Sequence, residues 1–191
     1  MDLKLLVSAF GLIFIAELPG KTTFANMLLA SRVKPLPVFI GAAAAYVIHC
    51  TIAVAAGSLV SLLPVEAVEI SVGTLFLILA WLIWRRRTEN INYKDTSPDA
   101  GFFKALVAAF TVTFAAQWGD PSQVATAGLA ARFSAPATLF AASFLALCSV
   151  TCIAIAMGRF ALGNIHPRVL QKIVATIFAG LGLYFLFVAL H

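Results

Sequence analysis

The chain alternates long apolar runs with short polar breaks. Six runs stand out, at residues 3–30, 36–62, 65–84, 102–130, 135–158 and 168–190. Each reaches the length, about 20 residues, that an α-helix needs to cross the hydrocarbon core of a bilayer. In hydrocarbon every backbone N–H and C=O must be bonded within the segment, so such runs predict helices. One polar stretch, residues 85–101, separates three runs from the next three. It divides the chain into a first three-helix repeat at 1–84, a cytoplasmic linker at 85–101 and a second repeat at 102–191.

The first and fourth runs are interrupted by related motifs. The first is Ala16-Glu17-Leu18-Pro19-Gly20-Lys21-Thr22, and the second is Ala116-Gln117-Trp118-Gly119-Asp120-Pro121-Ser122. The residues before them repeat as well. Lys4, Leu6, Val7, Ala9, Phe10 and Phe14 match Lys104, Leu106, Val107, Ala109, Phe110 and Phe114. The N-terminal run has the look of a signal peptide, but a segment reproduced inside the chain is expected to belong to the fold. Three spans per repeat is an odd number, so the second repeat enters from the opposite side. The predicted fold is an all-α integral membrane protein of six transmembrane helices, arranged as two inverted three-helix repeats, with the first and fourth helices interrupted. Such an architecture places a site near the midplane, where the interrupted helices meet.

Charge refines this picture. Only 11% of residues are charged and 62% are hydrophobic, against about 25% charged in a soluble domain. Lys and Arg accumulate on the cytoplasmic side of membrane proteins. Arg32, Lys34, Arg85, Arg86, Arg87, Lys94, Lys104, Arg159, Arg168 and Lys172 fall on one side, and Lys4 and Arg132 on the other. The first side is therefore expected to be cytoplasmic, with both termini outside, in a bacterial inner membrane. The net charge of +5 comes from these flanking residues and does not imply nucleic acid. Cys50, Cys148 and Cys152 lie in apolar runs without zinc spacing and read as small hydrophobes.

Glu17 and Asp120 are the only carboxylates well inside a run, and such groups persist in membranes mainly where they have work to do. Pro19 and Pro121 remove helix hydrogen bonds, and Gly20 and Gly119 loosen the backbone, so carbonyl oxygens are expected to be released there. With the Gln117 amide and the hydroxyls of Thr22, Thr23 and Ser122, these groups make an all-oxygen set. Hard cations such as Ca²⁺ and Mn²⁺ prefer oxygen ligands. Asn26 and Gln123 lie one turn further on, as further ligands or as helix glue. Glu17 and Lys21, spaced i,i+4, could instead form a private ion pair. His49 stands alone in the second run, either as a buried hydrogen-bonded group or as a handler of protons or metal.

These residues resemble the six-span calcium/manganese cation–proton exchanger family, which includes Golgi members in eukaryotes and manganese exporters in bacteria. Its signature is two copies of Glu-x-Gly-Asp-(Lys/Arg)-(Thr/Ser), one per inverted repeat. Glu17 to Thr22 and Gln117 to Ser122 occupy those positions, and Ser122 to Thr126 also looks like the family. Gly20 stands where the family has Asp, Gln117 where it has Glu, and Pro121 where it has a basic residue. Glu17, Asp120 and Lys21 together then carry a formal −1.

The resemblance implies a secondary transporter, not an enzyme, with no resident cofactor. It would export Mn²⁺ or Ca²⁺ from the cytoplasm in exchange for protons, with Glu17 and Asp120 as metal ligands. Gln117, Thr22, Ser122 and Lys21 would complete the cation and proton site. Its partners would be the bilayer, the cation and protons, with a homo- or hetero-dimer open. The altered motifs leave two other readings: a non-transporting or heteromeric membrane subunit, and a small-solute exporter of amino-acid type.

Topology gives the first testable expectation. Tags on either terminus should be reached from outside, and the 85–101 segment should be cut by protease in inside-out vesicles. Protection of that segment in such vesicles would contradict the assignment.

Overall fold

The computed structural model describes residues 2–18, 20–85, 101–160 and 167–189. Among them are eight helices and no strand. They are α1 (Leu3–Glu17), α2 (Lys21–Ala30), α3 (Pro35–Val60), α4 (Val65–Arg85), α5 (Phe102–Gln117), α6 (Pro121–Arg132), α7 (Pro136–Phe160) and α8 (Pro167–Ala189). Every predicted run is helical, and the first and fourth are each split into two helices. Pro19, residues 86–100 of the linker and residues 161–166 lie outside the described residues, as do both chain ends.

The helix ends follow from local chemistry. The Asp2 side chain accepts hydrogen bonds from the backbone N–H groups of Lys4 and Leu5, capping α1. Proline opens α3, α6, α7 and α8, where its missing N–H costs nothing. At the first break the chain bends by 70°, and at the second by 64°. The Gly20 N–H donates to the Glu17 carbonyl at 2.7 Å, and the Asp120 N–H to the Gln117 carbonyl at 3.1 Å. Gly119 adopts φ +66°, which a residue with a Cβ rarely adopts, so glycine belongs at this turn.

α3 and α7 are each long and apolar enough to cross a membrane, and each bent pair adds one more if it counts as a single span. The apolar stretch of α8, Ala175–Ala189, is shorter. α3 packs on α5 and α6, and α7 packs on α1 and α2 in the same way. α1 meets α6, α2 meets α5, and α4 lies along α8. This list is almost unchanged when the two halves are exchanged. Close approaches repeat too. A Cβ on Gly57 of α3 would strike the Ala127 carbonyl of α6, and one on Gly158 of α7 would strike the Met27 carbonyl of α2. Small residues at helix contacts let backbones touch where hydrocarbon offers no hydrophobic drive for association.

The core is correspondingly split. Phe76, Phe178 and Phe185 fill the space between α4 and α8. Ala9, Ile13, Ala42, Tyr46, Leu139 and Ala142 join α1, α3 and α7. At the C-terminal end of α6, Arg132 reaches the buried Glu69 of α4 at 2.7 Å, so Glu69 is an ion-pair partner.

Backbone contact at Gly57 and Gly158 makes these positions intolerant of bulk. Gly158→Leu is expected to destabilise the protein by about 1–3 kcal/mol, the usual range for overpacking. Gly180→Ala meets open space and should leave thermal unfolding in detergent unchanged or slightly later. Equal unfolding temperatures for Gly158→Leu and the parent would show that the α2–α7 contact is not tight.

Candidate functional site

The two bends bring the ends of α1 and α5 and the starts of α2 and α6 into one buried polar cluster. Glu17, Thr22, Gln117, Asp120 and Ser122 are all buried. Glu17 and Gln117 are the last residues of α1 and α5. Asp120 is the N-cap of α6, in extended conformation at φ −74° and ψ 144°, and its side chain accepts from the Ser122 N–H at 3.3 Å. The helix start therefore holds this carboxylate by the ordinary capping geometry. Gly20 occupies the same place before α2, at φ −68° and ψ 148°, with no side-chain cap.

Ser122 is the hub. Its Oγ lies 2.7 Å from Glu17 Oε2 and 3.1 Å from Asp120 Oδ2. It also accepts a hydrogen bond from Gln117 Nε2 at 2.9 Å. Gln117 Oε1 in turn accepts from the Thr22 hydroxyl at 3.2 Å. A serine hydroxyl has one hydrogen to give. Two carboxylates from opposite halves of the chain thus converge on a single donor. Glu17 Oε1 is buried with no hydrogen-bond partner among the described residues. A buried carboxylate oxygen left in this condition is costly.

The remaining predicted site residues divide by position. The Thr23 hydroxyl donates to the Glu17 backbone carbonyl at 2.7 Å, so it staples the first bend. Asn26 accepts from Thr113 at 3.0 Å and donates to the Tyr46 hydroxyl at 3.3 Å, and Tyr46 and Thr151 share a bond of 2.7 Å. This buried chain leads from α2 to α5, α3 and α7, so Asn26 bonds these helices together. Gln123 is bonded to His49 and to the Gly119 N–H. Lys21 is half-buried at the start of α2. Glu17 is bonded to Ser122, and among the described residues there is no ion pair between Glu17 and Lys21. The bend separates the two and removes the i,i+4 geometry on which such a pair rests.

Two carbonyls at the breaks already accept hydrogen bonds within the turns. The Glu17 carbonyl accepts from Gly20 and Thr23, and the Gln117 carbonyl accepts from Asp120. Among the described residues no three of His, Cys, Asp and Glu gather in one place. Tyr46, Thr113, Thr126, Ser143 and Thr151 are buried polar residues that sequence reading missed. Their hydroxyls sit singly in apolar helices, where nothing in the sequence tells a core hydroxyl from a lipid-facing one.

Apolar helices, two of them broken at buried carboxylates that meet, define an integral membrane protein built as charged-solute transporters are. The family model described as the divalent cation/proton antiporter GDT1 matches residues 5–91 and 105–191. The chain belongs to this family of divalent cation/proton antiporters. It is 31% identical to a GDT1-like protein of Synechocystis over 184 residues, 87% of this chain and 89% of that one. It is 25% identical to GDT1-like protein 3 of Arabidopsis thaliana over 199 residues, 92% of this chain and 68% of that protein. No solved structure matches.

The hub is testable as structure. Ser122→Ala strips a partner from Gln117 and from both carboxylates. It should lower stability in detergent by about 1–3 kcal/mol, the range for orphaning buried polar groups. Thermal unfolding would check this, and an unchanged midpoint would mean that the three groups are satisfied elsewhere.

Proposed function

We propose that this chain exports a divalent cation, Mn²⁺ or Ca²⁺, from the cytoplasm in exchange for protons. The observation that carries the reading is the meeting of Glu17 and Asp120 at the Ser122 hydroxyl, in a chain of the divalent cation/proton antiporter family. Two carboxylates with one hydroxyl hydrogen between them lack a positive charge. A proton or a cation can supply it, and each excludes the other. That competition is the physical content of exchange.

In this reading Glu17 and Asp120 are the charged ligands, and Gln117 Oε1, Ser122 Oγ and Thr22 Oγ1 supply neutral oxygens. Hard cations favour such a set over nitrogen or sulfur. With Lys21 outside the hydrogen-bonded cluster, the cluster's own formal charge is −2. That matches a divalent ion better than the −1 obtained when Lys21 is counted. The six helical segments act as two inverted repeats, 1–84 and 102–191, joined by a cytoplasmic linker. The reciprocal packing of the halves supports this, as do the paired approaches of Gly57 to Ala127 and of Gly158 to Met27. Rocking of one half against the other would expose the site alternately to the two sides.

Everted membrane vesicles carrying a pH dye test the reading. Addition of Mn²⁺ or Ca²⁺ should drive protons out of the vesicle lumen, and Glu17→Gln and Asp120→Asn should each abolish the response while the folded protein persists in detergent. No proton movement with either cation, or full activity in either variant, would refute it. The pH dependence has a definite sign. Where one proton is displaced per cation, the half-saturating Mn²⁺ concentration should rise about tenfold for each unit of acidification. A half-saturating concentration that is flat with pH would exclude competition at these carboxylates.

A further inference from the structure

His49 of α3 is buried against the second bend, and its ring touches both sides of it. Nε2 lies 3.0 Å from the Phe114 carbonyl oxygen, in the last turn of α5. A carbonyl only accepts, so Nε2 bears the hydrogen. Gln123, in the first turn of α6, is oriented by its Oε1, which accepts the Gly119 N–H at 3.3 Å. Its Nε2 therefore faces His49 Nδ1, at 2.9 Å, and donates to it. The ring is also held between Phe114, at 4.8 Å, and Trp118, at 5.4 Å between centroids. One imidazole thus ties the helix before the bend to the helix after it. Through Gln123 it reaches the N–H of the one described glycine with positive φ, directly before Asp120.

Among the described residues the first bend has no such imidazole. Thr23, at the position matching Gln123, staples its bend within the same bent pair. By the register that pairs Gly57 with Gly158, the buried Val150 takes the place of His49 in α7. The second bend is thus tied to α3 of the opposite repeat by a ring that bonds both of its sides.

We propose that His49 is a positioning residue that fixes the turn presenting Asp120 and couples that turn to α3. This rests on the reading of Asp120 as a cation ligand. His49 does not touch the site oxygens, and it acts through Gln123 and Gly119.

Two substitutions separate its bonds. His49→Asn keeps an acceptor where Nδ1 sits and so preserves the link to Gln123. His49→Gln keeps a donor where Nε2 sits and so preserves only the link to Phe114. His49→Phe keeps a ring and neither bond. Amide hydrogen exchange over residues 117–120 should be about five- to tenfold faster in His49→Phe and His49→Gln than in the parent, as expected when one hydrogen bond is lost. It should stay within about twofold of the parent in His49→Asn, and Gln123→Leu should match His49→Phe. The half-saturating Mn²⁺ concentration for proton movement in vesicles should rise about five- to tenfold in His49→Phe with a near-parental maximal rate, and should recover in His49→Asn. Parental exchange in both His49→Phe and Gln123→Leu would overturn the clamp. Parental half-saturation in His49→Phe would overturn its role in positioning Asp120. The exchange measurement involves no cation, so failure of the clamp and failure of the antiporter reading register separately.

Discussion

The structure depends on the bonding of a single hydroxyl. Ser122 Oγ stands between Glu17, brought by the end of α1, and Asp120, brought by the start of α6. For both carboxylates to reach it, two apolar helices must break at the same depth. A broken helix in hydrocarbon must find new partners for its backbone groups. The short turns at Glu17–Gly20 and Gln117–Asp120 supply them, and the hydroxyl of Thr23 and the amide of Gln123 finish the work. The bends of 70° and 64° then turn the broken helix ends inward to the cluster. Packing of α3 on α5 and α6, and of α7 on α1 and α2, holds the two broken helices against each other.

The halves are alike in frame and unlike in chemistry. Gly20 and Asp120 have nearly the same backbone angles, yet only Asp120 carries a side chain. A Cβ at Gly20 would lie 2.7 Å from the Glu17 carbonyl oxygen and 2.9 Å from Glu17 Oε1. The bare glycine is thus matched to a Glu17 carboxylate folded back over it. A second acid at position 20 would compete with Glu17 for space and would also have to move backbone. Gln117, the counterpart of Glu17, bonds Ser122 through its amide instead of adding charge. Each half therefore contributes one carboxylate, and the serine that joins them comes from the second half alone.

Much of this was legible in the sequence. Long apolar runs marked the helices because length alone decides what can span hydrocarbon. Pro121 and Gly119 marked the second bend because one cannot donate and the other tolerates positive φ. The repeat singled out Glu17, Gln117, Asp120 and Ser122, since a motif copied into two apolar helices sets matching depths. Other features were not legible. The i,i+4 spacing of Glu17 and Lys21 spoke for an ion pair until the bend was seen between them. The carbonyls of Glu17 and Gln117 are taken up by turns whose closure depends on backbone angles that residue types do not specify. Tyr46, Thr113 and Thr151 looked like isolated polar residues in apolar helices, and only packing brings them together with Asn26. Glu69 is buried in α4, and its partner Arg132 lies in another helix.

The central claim is that one cation and one or more protons compete for the pair of Glu17 and Asp120. Proton release on cation binding tests it most directly. Purified protein in detergent and weak buffer would be titrated with Mn²⁺, with bound metal and released protons counted together. The account predicts saturable binding with proton release in the parent, and loss of that release in Glu17→Gln and in Asp120→Asn. Mn²⁺ binding without proton release in the parent, or release undiminished in both variants, would contradict it.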